Sequence, residues 1–244
     1  MKTSVMVTAW NESILLLEKC LAGIEKNKEL VGEVVFVINS YEADLSHTKN
    51  LVEFINNRKD VTRFVVVSQN IGIARAWNIG AQLCEGELLM ILNGDFILGS
   101  GAVSKLLKPF ENETIGIVGI GGVRDGRKTD EEGLCDNVHG SGIVIRRSVF
   151  IKLGGSDEAF SPICDEVELC SRLWKQGYGS YIAPAVPHFH SPGISRRIHE
   201  DILYMGRKID RAQMEKNNSE YKLSLPWLGR LSYKIKNPIS KYKL

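Results

Sequence analysis

Apolar positions along the first half of the chain alternate between two periods. Ser4–Thr8 is a short β-branched run, after which Ile14, Leu17, Leu21 and Ile24 are spaced to share one helix face. Glu33–Ile38 reads as a second strand, His47–Arg58 as a helix and Thr62–Ser68 as a third strand. Ile73, Trp77, Gly80 and Cys84 return to helical spacing, and Leu88–Leu92 closes the series as a fourth strand. Strands alternating with helices predict an α/β fold: a Rossmann-like, mostly parallel central sheet with helices on both faces. Each crossover helix must return the chain to the same end of the sheet. Ligands of such sheets collect at the carboxyl ends of the strands.

The second half is less regular. Ser100–Phe110 reads as a helix, Ile115–Ile120 and Gly140–Ile145 as strands, and Glu166–Gln176 as a helix stopped by Gly177. Between them Arg124–Asn137, rich in charge and glycine, reads as a mobile loop. After Glu220 no acidic residue remains, while Lys222, Arg230, Lys234, Lys236, Lys241 and Lys243 interleave with Tyr221, Trp227, Tyr233 and Tyr242. Residues 201–244 are therefore expected to form a helical basic-aromatic extension. Such a segment suits the surface of an anionic membrane, where each basic side chain contributes about 1 kcal/mol, and equally suits a solvated or packed tail.

Composition narrows the classes. A chain of 244 residues, 43% hydrophobic, can bury one substantial core, so a single main domain over 1–200 is expected. A formal charge of +2 lacks the concentrated basic face of a nucleic-acid-binding domain. Cys20, Cys84, Cys135, Cys164 and Cys170 are odd in number and contain no C-x-x-C, which argues against a disulfide framework or a zinc cluster and for a reducing cytosol. No signal-like run opens the chain, and Leu88–Leu92 is far short of the roughly 20 apolar residues of a membrane span. The expected location is cytoplasmic, with peripheral membrane contact through the tail.

Candidate chemistry begins at Asn93-Gly94-Asp95, delivered by the fourth strand at its carboxyl end. A nucleoside diphosphate needs a hard cation held by oxygen ligands, and Asp95 offers one while leaving coordination positions for phosphates and water. Gly94 permits a sharp turn. The tripeptide is also an ordinary turn sequence, so alone it leaves both readings open. Pro184–Ser191 ends a further strand with His188 and His190 on one face, either of which can ligate a metal.

The segment QNIGIARAWNIGAQLCEGELLMILNGD, Gln69 to Asp95, resembles the donor-binding core of glycosyltransferase family 2. Thr8–Glu12 looks like that family's first-strand loop, His139–Phe160 its acceptor-side strand and turn, and Cys164–Tyr178 its acidic motif and helix. Together these cover about Ser4 to Ser195 in the family's order. The resemblance implies a GT-A fold, a nucleoside-diphosphate sugar donor such as a UDP-sugar, Mn2+ or Mg2+, and transfer of a hexosyl or deoxyhexosyl group, with inversion, to a glycan, glycolipid or protein hydroxyl. It divides the main domain into a donor half, 1–98, and an acceptor and catalytic half, 99–200.

Residue by residue, the resemblance places Thr8, Ala9, Asn11, Glu12 and Asn39 at the base and ribose. Asn70, Gly72, Arg75, Asn78, Asn93 and Gly94 border the donor further in. Asp95 with His190, or His188 in its place, holds the cation. Glu166, beside Asp165, is the general base, worth about 10² to 10⁴ in rate. Read without the family, the same acids cap a positive helix end. Trp174, His139, Gly140 and the Arg124–Asn137 loop face the acceptor, while Arg196, Arg197 and His199 form a loop able to close over diphosphate oxygens. Three positions depart from the pattern: Asp165-Glu166-Val167-Glu168 replaces Glu-Asp-x-Asp, Asn39 stands where an acid is usual, and Asn93 stands where Asp is common.

A nicotinamide dehydrogenase would show G-x-G-x-x-G after the first strand, and Thr8–Glu12 contains no glycine. A nucleotidyltransferase would carry a basic glycine-rich loop there, which is absent. A retaining transferase and a sugar-nucleotide binding module without turnover remain alternatives.

Overall fold

The computed structural model describes residues 3–41, 44–158 and 165–190. Strand β1 (Thr3–Ala9), helix α1 (Ile14–Glu25), β2 (Val31–Asn39), α2 (Leu45–Asn56), β3 (Arg63–Val67), α3 (Ile73–Leu83) and β4 (Leu88–Asn93) follow the alternation expected from periodicity. β5 (Phe96–Leu98), α4 (Ala102–Leu107), β6 (Ile115–Gly119), β7 (Gly122–Arg124), β8 (Arg127–Thr129), β9 (Gly133–Cys135) and β10 (Asn137–Val138) come next. The described part ends with β11 (Ile143–Arg146), α5 (Arg147–Lys152), α6 (Asp165–Lys175), β12 (Gly179–Ile182) and β13 (His188–His190).

Eight strands form one sheet in the order β3-β2-β1-β4-β11-β6-β12-β9. β1 pairs in parallel with both β2 and β4. β11 is antiparallel to β4 and to β6, which restores the original direction at β6, and β12 runs parallel to β6. The sheet is mostly parallel and covered on both faces, as expected.

The alternating side chains of β1 show how the core divides. Val5, Val7 and Ala9 pack with Leu17, Leu21 and Ile24 of α1, Leu51 and Ile55 of α2, and Val103 and Leu106 of α4. Met6 faces the other way, with Ala76, Trp77 and Ala81 of α3, Phe150 of α5, and Leu169 and Leu173 of α6. Burying both faces requires near-continuous apolar strands, which is what β2 and β4 supply. The one charge inside the run called β2 is Glu33, at the amino end of the sheet. Its carboxylate accepts from Ser4 Oγ, from Glu85 N at 2.6 Å and from Arg63 at 2.8 Å.

Local chemistry moved several boundaries. The Asp44 side chain caps α2 by accepting from His47 N, so the helix starts at Leu45 rather than His47. Pro109 lacks a backbone donor, and α4 tightens at Lys108–Glu111 into a 3₁₀ turn. The largest correction is Arg124–Asn137, expected to be a mobile loop. It carries β8, β9 and β10; β10, β7 and β8 form a three-stranded sheet, and β9 joins the edge of the main one. Asp125 and Gly126 have φ of 51° and 68°, the two-residue turn that matches strand twist. The Arg124 guanidinium then donates to Leu134 O at 2.7 Å and Glu131 O at 2.8 Å.

Cys20, Cys84, Cys135 and Cys170 are free and buried. Among the described residues no helix is long and apolar enough to cross a membrane. The extension expected over 201–244, together with Cys164, Arg196, Arg197 and His199, lies outside the described residues.

Candidate active site

The carboxyl ends of β1 and β4 lie side by side, with Thr8 in register with Asn93. Gly94 N donates to Thr8 O at 2.9 Å, fixing the turn that follows β4. Gly94 is needed here for close approach rather than for an unusual φ. A Cβ on it would lie 2.8 Å from Leu17 Cδ2 and 3.1 Å from Glu12 Cδ. Asp95 comes next, buried at 7% exposure.

β5 then pairs antiparallel with β13, setting His190 opposite Phe96 and His188 opposite Leu98. That pairing brings His190 Nε2 to 3.4 Å from Asp95 Oδ1. His190 Nε2 also lies 3.4 Å from Ser141 Oγ, which accepts from Asn93 Nδ2 at 3.2 Å. Thr8 Oγ1, 3.5 Å from Asn93 Oδ1, extends the row to β1. His188 is engaged elsewhere: its Nδ1 is 2.9 Å from Val186 O and its ring stacks on Phe96 at 5.3 Å. Phe96 also meets the His190 ring at 5.5 Å, so one buried phenyl supports both imidazoles. Asp95 and His190 are an oxygen and an imidazole donor within reach of one another, the chemistry a Mn2+-class ion accepts. Among the described residues no group of three or more His, Cys, Asp or Glu could hold an ion by itself.

The loop between β10 and β11 joins this corner to the acidic helix. Gly140 lies against the Glu166 carboxyl: a Cβ there would be 3.3 Å from both Cδ and Oε2. Its neighbour Ser141 makes the contacts to Asn93 and His190 already given. Two successive residues, Gly140 and Ser141, thus link the acidic helix to the Asp95 corner. The His139 backbone N–H is held by Gly121 O at 2.8 Å. The second acid of the motif, Glu168, is taken by Arg172 at 2.5 and 2.6 Å. Trp174 is partly buried on the same helix, and its indole N–H has no hydrogen-bond partner there. Asp165 opens α6; its side chain lies outside the described residues.

Among the remaining expected residues, Thr8, Ala9 and Asn39 sit at buried strand ends. Asn39 Oδ1 accepts from Ile71 N at 3.4 Å, and Asn70 Oδ1 from Gly72 N at 3.0 Å, which gathers the ends of β2 and β3 at one corner. Asn11 Oδ1 is buried with no hydrogen-bond partner in the protein. Glu12 turns inward, accepting from Trp10 N at 2.6 Å. Burial pushes its carboxyl up from 4.5 to about 7, with the charge of Asp95 adding in the same direction. Arg75 and Asn78 are occupied by the turn after α5: Arg75 pairs with Glu158 at 2.8 Å, and Asn78 bonds the Ser156 backbone.

Sequence reasoning missed Trp10, Tyr41, Phe96 and Ser141. Trp10 meets Tyr41 edge to face at 5.2 Å on the rim above β1 and β2. An aromatic between Ala9 and Asn11, directly after a buried strand, was the available signal for Trp10. Nothing local marks Ser141 or Phe96, whose contacts come from segments distant in the chain.

The sequence model described as "Glycosyl transferase family 2" matches residues 4–168. No curated protein matches the chain. Among solved structures, the chain is similar to GalNAc-T7 with UDP, GalNAc and Mn2+, at 16% identity and a TM-score of 0.66, over 78% of this chain and 43% of that one. It is similar to the mannosyltransferase PcManGT of Pyrobaculum calidifontis in complex with GDP-Man and Mn2+, at 20% identity and a TM-score of 0.60, over 75% and 55%. It is also similar to TarS of S. aureus, at 14% identity and a TM-score of 0.58, over 82% and 38%. At these identities the likeness is one of fold, and the chain spans between 38% and 55% of the length of these structures.

Proposed function

Because the chain belongs to glycosyl transferase family 2, we propose that it transfers a sugar from a nucleoside-diphosphate donor to an acceptor hydroxyl, with inversion at the anomeric carbon. The fold is a glycosyltransferase fold of the GT-A type. The observation that carries the reading is the pair Gly140-Ser141, whose adjacent residues lie against the Glu166 carboxyl and against His190 of the Asp95–His190 pair.

In this reading the nucleotide lies across the carboxyl ends of β1, β2 and β4. Trp10, Asn11 and Asn39 border the base, and Thr8, Asn70, Gly72 and Asn93 border the ribose and phosphates. Asp95 and His190 would hold a divalent ion, leaving it room to engage the donor phosphates. When bound, that ion offsets the charge that develops on the departing diphosphate. UDP with Mn2+ in GalNAc-T7 and GDP-Man with Mn2+ in PcManGT are the models for this pairing.

Glu166 takes the proton of the acceptor hydroxyl as its oxygen forms the new bond to the anomeric carbon. The bond from that carbon to the diphosphate oxygen breaks, and its electron pair leaves with the nucleoside diphosphate. Glu168, two residues on, is held by Arg172. Trp174, His139, Gly140 and the β7–β10 insertion face the acceptor, which belongs to a polysaccharide, glycolipid or glycoprotein glycan.

Calorimetric titration with UDP, GDP and dTDP, with and without Mn2+, tests the donor half of this reading. One nucleotide is expected to bind in a Mn2+-dependent way, with the dependence lost in Asp95→Ala and retained in Glu166→Gln. Absence of binding to all three would sink it.

A further inference from the structure

The turn that follows α5 is gripped from two sides. Gly154 and Gly155 have φ of 85° and 79°, and they carry the chain out of the helix into Ser156. From α3, Asn78 makes a reciprocal pair with the Ser156 backbone: Oδ1 accepts from Ser156 N at 2.8 Å and Nδ2 donates to Ser156 O at 3.0 Å. From α6, Arg172 donates to Leu153 O and to Gly155 O, both at 2.8 Å. The same guanidinium holds Glu168, one residue beyond Val167 and two beyond Glu166. A Cβ on Gly155 would lie 2.2 Å from Asn78 Oδ1, so the fit on the α3 side leaves no room for any other residue.

Each anchor is itself fixed. α3 buries Trp77 and Ala81, and a Cβ on its Gly80 would run into the Met6 side chain of β1. α6 buries Leu169, Cys170 and Leu173 in the same core. Yet the elements that carry the two anchors belong to different halves of the sheet. α3 covers β1 and β2, whereas α6 packs against β10 and β12. The turn at 153–156 is where the hydrogen bonds from both helices meet. An Arg fork spanning two carbonyls and a carboxylate is a stiff connector, and a side-chain amide paired with both the N–H and the C=O of one residue is another.

We propose that Asn78 and Arg172 are positioning residues that clamp this turn and thereby register the Glu166 helix against the donor half. The inference rests on the assignment of Glu166 as general base. It moves Asn78 from contact with the donor to the support of the acidic helix. Arg75, whose ion pair with Glu158 is about half exposed, adds little to the clamp. The clamp predicts that losing either side chain loosens the turn and α6 and slows turnover without weakening the donor.

The test uses the full chain as wild type, Asn78→Ala, Arg172→Ala, Arg172→Lys and the Asn78→Ala/Arg172→Ala pair. Amide hydrogen exchange in 153–156 and α6 is expected to rise about tenfold in each alanine variant, with β1 and β4 unchanged. The pair should exchange no faster than the faster single, since either loss opens the same clamp. Lysine at 172 should fail to restore protection, because one ammonium cannot reproduce the fork. With UDP-N-acetylgalactosamine and GDP-mannose as donor probes, kcat of nucleotide release should fall about tenfold while KM stays within about twofold. Unchanged exchange in either single variant overturns the clamp, as does a rise in KM for Asn78→Ala at constant kcat. If the wild type binds none of UDP, GDP and dTDP, the transferase reading fails, and the exchange data alone still decide for or against the clamp.

Discussion

His190 Nε2 stands 3.4 Å from Asp95 Oδ1 because β13 folds back along β5, the strand that begins directly after Asp95. The Phe96 ring meets the imidazole at 5.5 Å, tilted by 43°. A carboxylate and an imidazole so placed are complementary to a cation that also engages phosphate.

Removing either ligand should act on metal-dependent nucleotide affinity and little on folding. Asp95→Ala is expected to weaken nucleotide binding in Mn2+ by about a hundredfold and His190→Ala by about tenfold. Without metal, wild type and variants should bind alike. His188→Ala, whose ring packs on Phe96 and whose Nδ1 is held near Val186 O, should cost less than His190→Ala. Titrations with and without Mn2+ measure all three.

Glu12 links the site to pH. Burial lifts its carboxyl from 4.5 to about 7, so the folded protein binds a proton there that the unfolded chain has released between those values. Stability should therefore fall as pH rises from about 4.5 to about 7 and level off above, by up to about 3 kcal/mol. Glu12→Gln keeps an acceptor for Trp10 N and carries no charge. Urea unfolding from pH 5 to pH 8 should show a flatter profile for this variant and greater stability than wild type above pH 7.

Gly142 tests the floor beneath the histidines. Its φ is 69°, and a Cβ would lie 2.5 Å from Phe96 Cζ. Gly142→Ala is expected to cost about 2 to 3 kcal/mol, from overpacking and an unfavourable backbone region together. Because the phenyl ring must move, the same variant should also weaken Mn2+-dependent binding. Thermal unfolding and titration on one preparation separate the two effects.

Glu33 is remote from the site and should behave differently. Its carboxylate satisfies Ser4, the Glu85 backbone and Arg63 at the amino end of the sheet. Glu33→Ala leaves those donors short of a partner, although Arg63 keeps Glu85 at 2.8 Å. A loss of about 2 kcal/mol of stability is expected, with nucleotide affinity unchanged.

The amino-acid sequence by itself determined the alternation of strands and helices from β1 to β4, the two-faced burial of the sheet, and the delivery of Asn93-Gly94-Asp95 to a strand end. Those features follow from local periodicity, since a strand buried on both faces must be apolar throughout and its covering helices must show an apolar stripe. The acidic motif at Glu166 was legible from its resemblance to a family, together with the order of the motifs around it. Only the tertiary structure decided that His190 rather than His188 meets Asp95, because a pairing between β13 and β5 selects it. It likewise turned Glu12 inward, set Gly140 against Glu166, engaged Arg75 and Asn78 with the 156–158 turn, and made strands of the polar insertion at 124–137. Each of these depends on which distant segment packs against a loop, and the energy of such contacts leaves no periodic trace in the residues that make them.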